Sequence, residues 1–251
     1  LEFSDTLCRL VAAIAAHPAR LRGDGELFRE DRRRLAEICP EEANPSLNTC
    51  LWVAEGVGWL ARVDDSLRAA SLAKLIELGR VARHRILFDW LTAKGDAAGA
   101  RGVMASPAGE IKSDAWYPVL EFVAYARQAG AEHEQPVLRA SGAHWSYVSP
   151  GASGNPESRL ARALEEVFFW LGVVDRAECG RESYFQLTKL GRALLLDEEC
   201  ATIETQYPPR CGEFIVQPNF DIVVPTLDMD PLLTVPLDRK STRLNSSHVS
   251  Q

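Results

Sequence analysis

The stretch Leu160–Leu196, LARALEEVFFWLGVVDRAECGRESYFQLTKLGRALLL, constrains the fold of this 251-residue chain more than any other. Leu160, Leu164, Val167, Phe168 and Leu171 recur at spacings of 4, 3, 1 and 3, which puts them on one face of a helix. Gly172 follows, and glycine ends helices because it reaches the left-handed region without a steric penalty. Val173–Ala177 and Tyr184–Leu187 read as short strands, with the polar tip Glu178–Ser183 and its Gly180 between them. Thr188 stands where a cap is needed, ahead of a helix carrying Leu190, Ala193 and Leu194.

Helix, hairpin, helix is the second half of a winged helix, a fold used for DNA binding and also for protein contacts alone. For the whole chain the predicted class is α+β, mostly helical with small β-hairpins. Tandem winged-helix-like modules are followed by the truncated start of an α/β domain. The expected boundaries are 1–93 for the first module, 94–113 for a linker, 114–200 for the second module and 205–237 for the truncated domain.

In the first module, Leu7–Ala16 reads as a helix stopped by Pro18, and Arg20–Leu27 as a turn or small hairpin. REDRRRLAEIC, from Arg29, reads as a helix with Glu30 and Asp31 near its positive end. Leu47–Ala61 reads as a further apolar helix ending near Gly58 and Trp59, and Arg62–Arg68 as a short wing. Ser71–Leu91 is helical with Gly79 as an interruption, and His84, between Arg83 and Arg85, reads as a surface residue. Lys94–Ser106 is rich in Gly and Ala and poor in large apolar groups, hence the predicted linker. Asp114 is placed to cap a helix with Trp116, Val119, Leu120 and Val123 inward. Gly130–Gln135 and Ser149–Asn155 read as loops, and Asn155-Pro156 as a helix start. After a Pro-rich connector at Tyr207–Pro209, Glu213–Pro225 reads as a strand bent at Pro218, and Leu227–Leu233 as the start of a helix.

Net charge is −7, balanced over residues 1–95 and acidic beyond them. An acidic chain does not collect on phosphate backbones non-specifically, so DNA contact requires local clusters. The most basic one is Arg20, Arg22, Arg29, Arg32, Arg33 and Arg34. Arg29 and Arg33, four apart, share a helix face suited to phosphates. The interleaved Glu30, Asp31 and Glu37 favour the alternative, a solvated face of ion pairs. The DNA-contact candidates are Arg29, Arg32 and Arg33, together with Arg159 and Arg162 on the later helix and Arg181 at its wing tip.

Catalytic chemistry is not legible. No GxxxxGK[ST], GxSxG or HExxH occurs. Leu194-Leu195-Leu196-Asp197-Glu198 imitates a Walker B strand but continues a helix, so it reads as a helix end. Glu132, His133, Glu134 and His144 fit no standard metal spacing. Six cysteines without CxxC point to reduced thiols in a cytoplasmic protein, with no metal and no cofactor. No run approaches the ~20 apolar residues of a membrane span.

Several segments carry a family resemblance. FFWLGVVDRA at Phe168–Ala177 and YFQLTKLGRALL at Tyr184–Leu195 are followed by EFIVQPNFDIVVP at Glu213–Pro225 and LDMDPLL at Leu227–Leu233. Together they resemble bacterial helicase-associated proteins with the domain found near the N-terminus of XPB-type DNA repair helicases. LFREDRRRLAE at Leu27–Glu37 and RHRILFDWL at Arg83–Leu91 resemble the N-terminal part of the same proteins. The resemblance implies a non-catalytic accessory module of helicase or repair type. Its implied partners are DNA, a helicase motor, or another repair or transcription protein. The alternative is a protein-interaction scaffold, or a transcription-regulator-like winged-helix protein, that does not touch DNA.

The chain has no initiator Met and is expected to begin inside a longer protein and to end in mid-domain near Leu237. DRKSTRLNSSH at Asp238–His248 resembles the in-frame translation of a short-read sequencing adapter, so residues 238–251 are expected to be an adapter-derived artefact without a functional role.

Overall fold

The structure is a computed structural model that describes residues 2–39, 44–70, 72–93, 97, 100–108, 111–112, 114–130, 137–141, 144–148, 156–204, 207, 215–219, 222–223 and 230–233. It contains helices and small antiparallel sheets in two units. The first comprises residues 1–87 with 200–251, and the second residues 88–199.

In the first unit, helix α1 (Glu2–Ala16) buries Phe3, Leu7, Leu10, Val11 and Ile14 against the rest of the unit, a helical spacing that starts one turn earlier than predicted. Strand β1 (Ala19–Arg20) leads through a small turn to helix α2 (Arg29–Ala36). Helix α3 (Leu47–Gly56) starts at Ser46, whose hydroxyl accepts from the Thr49 N–H at 3.5 Å. It stops sooner than its apolar run suggested. Gly58 takes φ +75°, the chain reverses, and Leu60–Val63 becomes strand β2 rather than helix. Strand β3 (Ser66–Ala69) returns from the tip Asp64-Asp65, and the antiparallel sheet has the order β1-β3-β2. Helices α4 (Leu72–Glu77) and α5 (Arg80–Thr92) replace the long predicted helix and part at Gly79, as its composition suggested. Cys39 and Cys50, both buried, bring their thiols within 3.3 Å. Burial, then the neighbouring thiol, pushes Cys50 above the ordinary thiol range.

The second unit repeats this order of elements. Helix α6 (Ala100–Ala108), strand β4 (Tyr117–Pro118) and helix α7 (Val119–Gly130) come first. An added hairpin of β5 (Val137–Ser141) and β6 (His144–Val148) precedes helix α8 (Pro156–Ala163). α8 runs on through a π-helical turn, Leu164–Phe168, to Trp170. Gly172 at φ +62° ends it. Strands β7 (Val174–Cys179) and β8 (Glu182–Leu187) form a hairpin, and the sheet order is β4-β8-β7, the counterpart of β1-β3-β2. Helix α9 (Lys189–Leu195) is capped by Thr188, whose hydroxyl accepts from the Gly191 N–H at 2.8 Å. Its first turn lies so close to the strand that a Cβ on Gly191 would meet the Val173 carbonyl oxygen at 2.0 Å. Phe122 of α7 packs edge-on against Phe185 of β8, with ring centroids 4.9 Å apart.

Helix α10 (Cys200–Glu204) then returns the chain to the first unit, where β9 (Ile215–Val216) and β10 (Ile222–Val223) pair antiparallel. Gln217–Asn219 lies between them, so the predicted bent strand is a small hairpin. Pro231–Leu233 forms a helical turn, in line with the predicted helix start.

Other expectations change. The predicted linker 94–113 contains α6, and Ala97, Ala100, Met104 and Ile111 in that stretch are buried. Small residues suggested a linker, yet alanine is the strongest helix former and needs little room to pack. α7 begins at Val119, not near Asp114, because Tyr117 and Pro118 pair with Phe185 and Tyr184 of β8. Trp116 and Leu120 consequently stand exposed, while Val119, Phe122, Val123 and Ala126 are buried. His84 is wholly buried, not on the surface, because α5 turns that face toward the core beside Val81, Leu87 and Phe88. The predicted loops Gly130–Gln135 (beyond Gly130) and Ser149–Asn155, the connector Pro208–Pro209, the side chains of His133 and His144 and the tail 238–251 lie outside the described residues.

Candidate functional site

Most of the arginine cluster around α2 is engaged in building the first unit. Asp31, in the first turn of α2, is buried and accepts from the Arg20 backbone N–H at 3.2 Å, Arg20 Nε at 3.0 Å and Arg34 Nη2 at 3.4 Å. Burial alone would raise the Asp31 carboxyl, but these donors outweigh it and hold it below the usual carboxylate range. Arg20 also pairs with Glu30 at 2.8 Å and lies over the Phe28 ring. Arg34 donates to the carbonyls of Ala13 and His17, at 3.2 and 3.0 Å, and so satisfies the open end of α1. Arg32 reaches Glu26 at 3.4 Å, and Arg22 pairs with Asp24. The interleaved acids therefore do form ion pairs, through Glu30 and Asp31.

Two members stand apart. Arg29 and Arg33 are exposed, four residues apart on α2, and among the described residues neither has an ion-pair partner. That leaves two cations one helical turn apart facing solvent, a spacing that matches neighbouring phosphates.

The third helix and hairpin tip of each unit offer different chemistry. α3, LNTCLWVAEG, contains no Lys or Arg, and its exposed residues include Trp52 and Asn48. The β2–β3 tip is Asp64-Asp65, both exposed. In the second unit, α8 carries Arg159, half-buried, and Arg162, exposed, followed by Glu165 and Glu166. The β7–β8 tip is Gly180-Arg181, with Gly180 at φ +67° and Arg181 exposed without an ion pair among the described residues. Arg176 is spent locally, on Glu178 at 2.8 Å and over the Phe169 ring.

One buried polar site escaped sequence reasoning. Arg83, inside the first unit, meets the Asp230 carboxylate with two guanidinium nitrogens, at 2.6 and 3.1 Å. Its Nε donates to the carbonyls of Leu75 and Leu78, at 2.9 and 2.8 Å. Nearby Arg80 pairs with buried Asp5 at 2.6 Å. Cys8 lies against Arg83, and burial pushes its thiol up to about 11 although the guanidinium opposes the shift. Arg83 sits in an RHR run that looks solvated, and Asp230 lies 147 residues away, so only the Asp-Pro cap signal at Asp230 was available in sequence.

Asp197, the first acid of the Walker-like run, lies just past α9 at φ +60° and pairs with Arg101 at 2.9 Å. Among the described residues no group of His, Cys, Asp and Glu is placed to hold a metal ion, and no helix is long and apolar enough to cross a membrane. Compared with family models, with curated proteins and with solved structures, the chain matches none.

Proposed function

We propose that the chain is a non-catalytic accessory module of a helicase-associated or DNA-repair-type protein, in which both units are winged helices. Phosphate contact comes from Arg29 and Arg33 of α2 and from Arg181 at the β7–β8 tip. The observation that carries this reading is selective availability. Arg20, Arg22, Arg32 and Arg34 are tied to carboxylates or backbone, while Arg29 and Arg33 are exposed and, among the described residues, make no ion pair. The repeated order of elements, with β1-β3-β2 matched by β4-β8-β7, supports the winged-helix assignment. A reducing, cytoplasmic setting fits a chain whose six cysteines include no CxxC pair.

The test is duplex and single-strand binding at two salt concentrations. Wild-type chain is expected to bind at about 50 mM salt and to weaken steeply as salt rises. Arg29→Ala with Arg33→Ala is expected to reduce the log–log salt slope by about 2. No binding at the lower salt removes the reading.

A second reading, a protein-interaction scaffold, is supported by α3. A helix in the third position with no Lys or Arg, an exposed Trp52 and an acidic hairpin tip suits a protein partner better than a phosphate groove. The same titration separates the two.

A further inference from the structure

We infer that the first unit carries a recognition site for a short Asp-Pro-Leu segment at a helix start, and that residues 230–233 are its built-in occupant. The site is a cation that needs a counter-charge. The Arg83 side chain is 4% exposed. Its Nε is committed to the Leu75 and Leu78 carbonyls, which fix the guanidinium plane. The remaining nitrogens, Nη1 and Nη2, present the two-pronged edge that a carboxylate fits. An empty site leaves a buried cation without an anion, so occupancy is strongly favoured.

The occupant is selected by more than charge. Asp230 Oδ1 also accepts the Leu232 N–H at 3.0 Å, so one carboxylate both pairs with Arg83 and caps the turn it begins. Pro231 follows at the first helical position, where its ring matches the backbone and no donor is lost, and it is buried. Leu232 is fully buried. A Glu carboxylate sits one methylene further out and is a poorer helix cap than Asp. The specificity is therefore acid of short reach, proline, then an apolar residue. Any partner segment of that chemistry competes with residues 230–233 for the first unit.

The experiment uses the full chain with a specific-protease site placed between Glu204 and Ile215. After cutting, the C-terminal fragment is expected to remain with the rest on gel filtration at about 50 mM salt, where screening is weakest. A synthetic peptide of residues 226–237, in excess, is expected to displace it. The same peptide with Asp230→Asn, which keeps the cap but removes the charge, is expected to compete at least tenfold less well. Asp230→Asn in the chain itself is expected to release the cut fragment at least tenfold faster. Spontaneous release of the wild-type fragment overturns the inference. So does equal competition by the two peptides, which needs no variant chain to fold. It stands apart from the DNA reading, since salt-dependent nucleic-acid binding and fragment retention are measured separately.

Discussion

The two units share an order of elements and a sheet topology, but they are held together by different means. In the first, polar side chains are drawn inside. Arg80 meets Asp5, Arg83 meets Asp230, and Asp31 collects Arg20 and Arg34. In the second, the ion pairs described lie at the surface, as with Arg101 to Asp89 and Asp197, and Arg176 to Glu178. Among the described residues its buried side chains are mostly apolar: Phe168, Phe185, Leu164, Leu171, Leu187 and Leu194 are buried, and Gly191 sits directly on the Val173 backbone. One topology therefore tolerates two kinds of core. A core of buried ion pairs is fragile to the loss of one partner, because the other is left charged in a poor solvent. A close-packed apolar core is fragile to added volume.

The largest expected effect tests the first half of that contrast. Asp230→Ala is expected to cost about 3–5 kcal/mol. Hydrogen exchange should show the loss in α1 and α4, while α8 and α9 keep their protection. Equal loss in both units breaks the comparison. Gly191→Ala should do the reverse. Its methyl has no room beside the Val173 carbonyl, and a cost of about 1–3 kcal/mol should appear as faster exchange in β7 and α9.

Helix caps give a finer test. Thr188→Ala is expected to cost about 1 kcal/mol, seen as a lower denaturant midpoint. Its hydroxyl donates to the Gly172 carbonyl at 2.6 Å as well as capping α9. Ser46→Ala should cost less, since its capping contact is long at 3.5 Å. The smallest effect is set by pH. Asp31 is held below its ordinary carboxyl value of 3.8, so its contribution is fully present above that value and is lost as pH falls through the lower folded one. As pH falls below 3.8, protection of the α2 amides, corrected for the slower intrinsic exchange in acid, should fall in the wild type and fall less in Asp31→Asn. Identical acid responses of the two chains remove Asp31 as a cause.

How much of this the sequence disclosed depended on range. The stretch Leu160–Leu196 was legible because its signals are local: Gly172 and Gly180 take the positive φ expected of them, and Thr188 caps α9. The break at Gly79 was legible for the same reason. α6 was not, because a run of Ala and Gly looks like a linker until Met104 within it and Ile111 just beyond it are seen to be buried. His84 was misjudged because its neighbours Arg83 and Arg85 suggested a wet surface, whereas Arg83 is itself buried on Asp230. Among the candidate DNA contacts, sequence supplied the cluster but not the sorting. Which arginines are occupied depends on Asp31, Glu26 and the end of α1, and only the fold brings those groups together.

The Asp230 contact also has a consequence in time. A ribosome delivers Arg83 long before Asp230, and the whole of residues 88–199 emerges between them. At roughly 5–20 residues per second, the interval is on the order of ten seconds or more. The unit synthesised first is thus the last able to close, while the second unit has all its residues in one continuous stretch and can finish ahead of it.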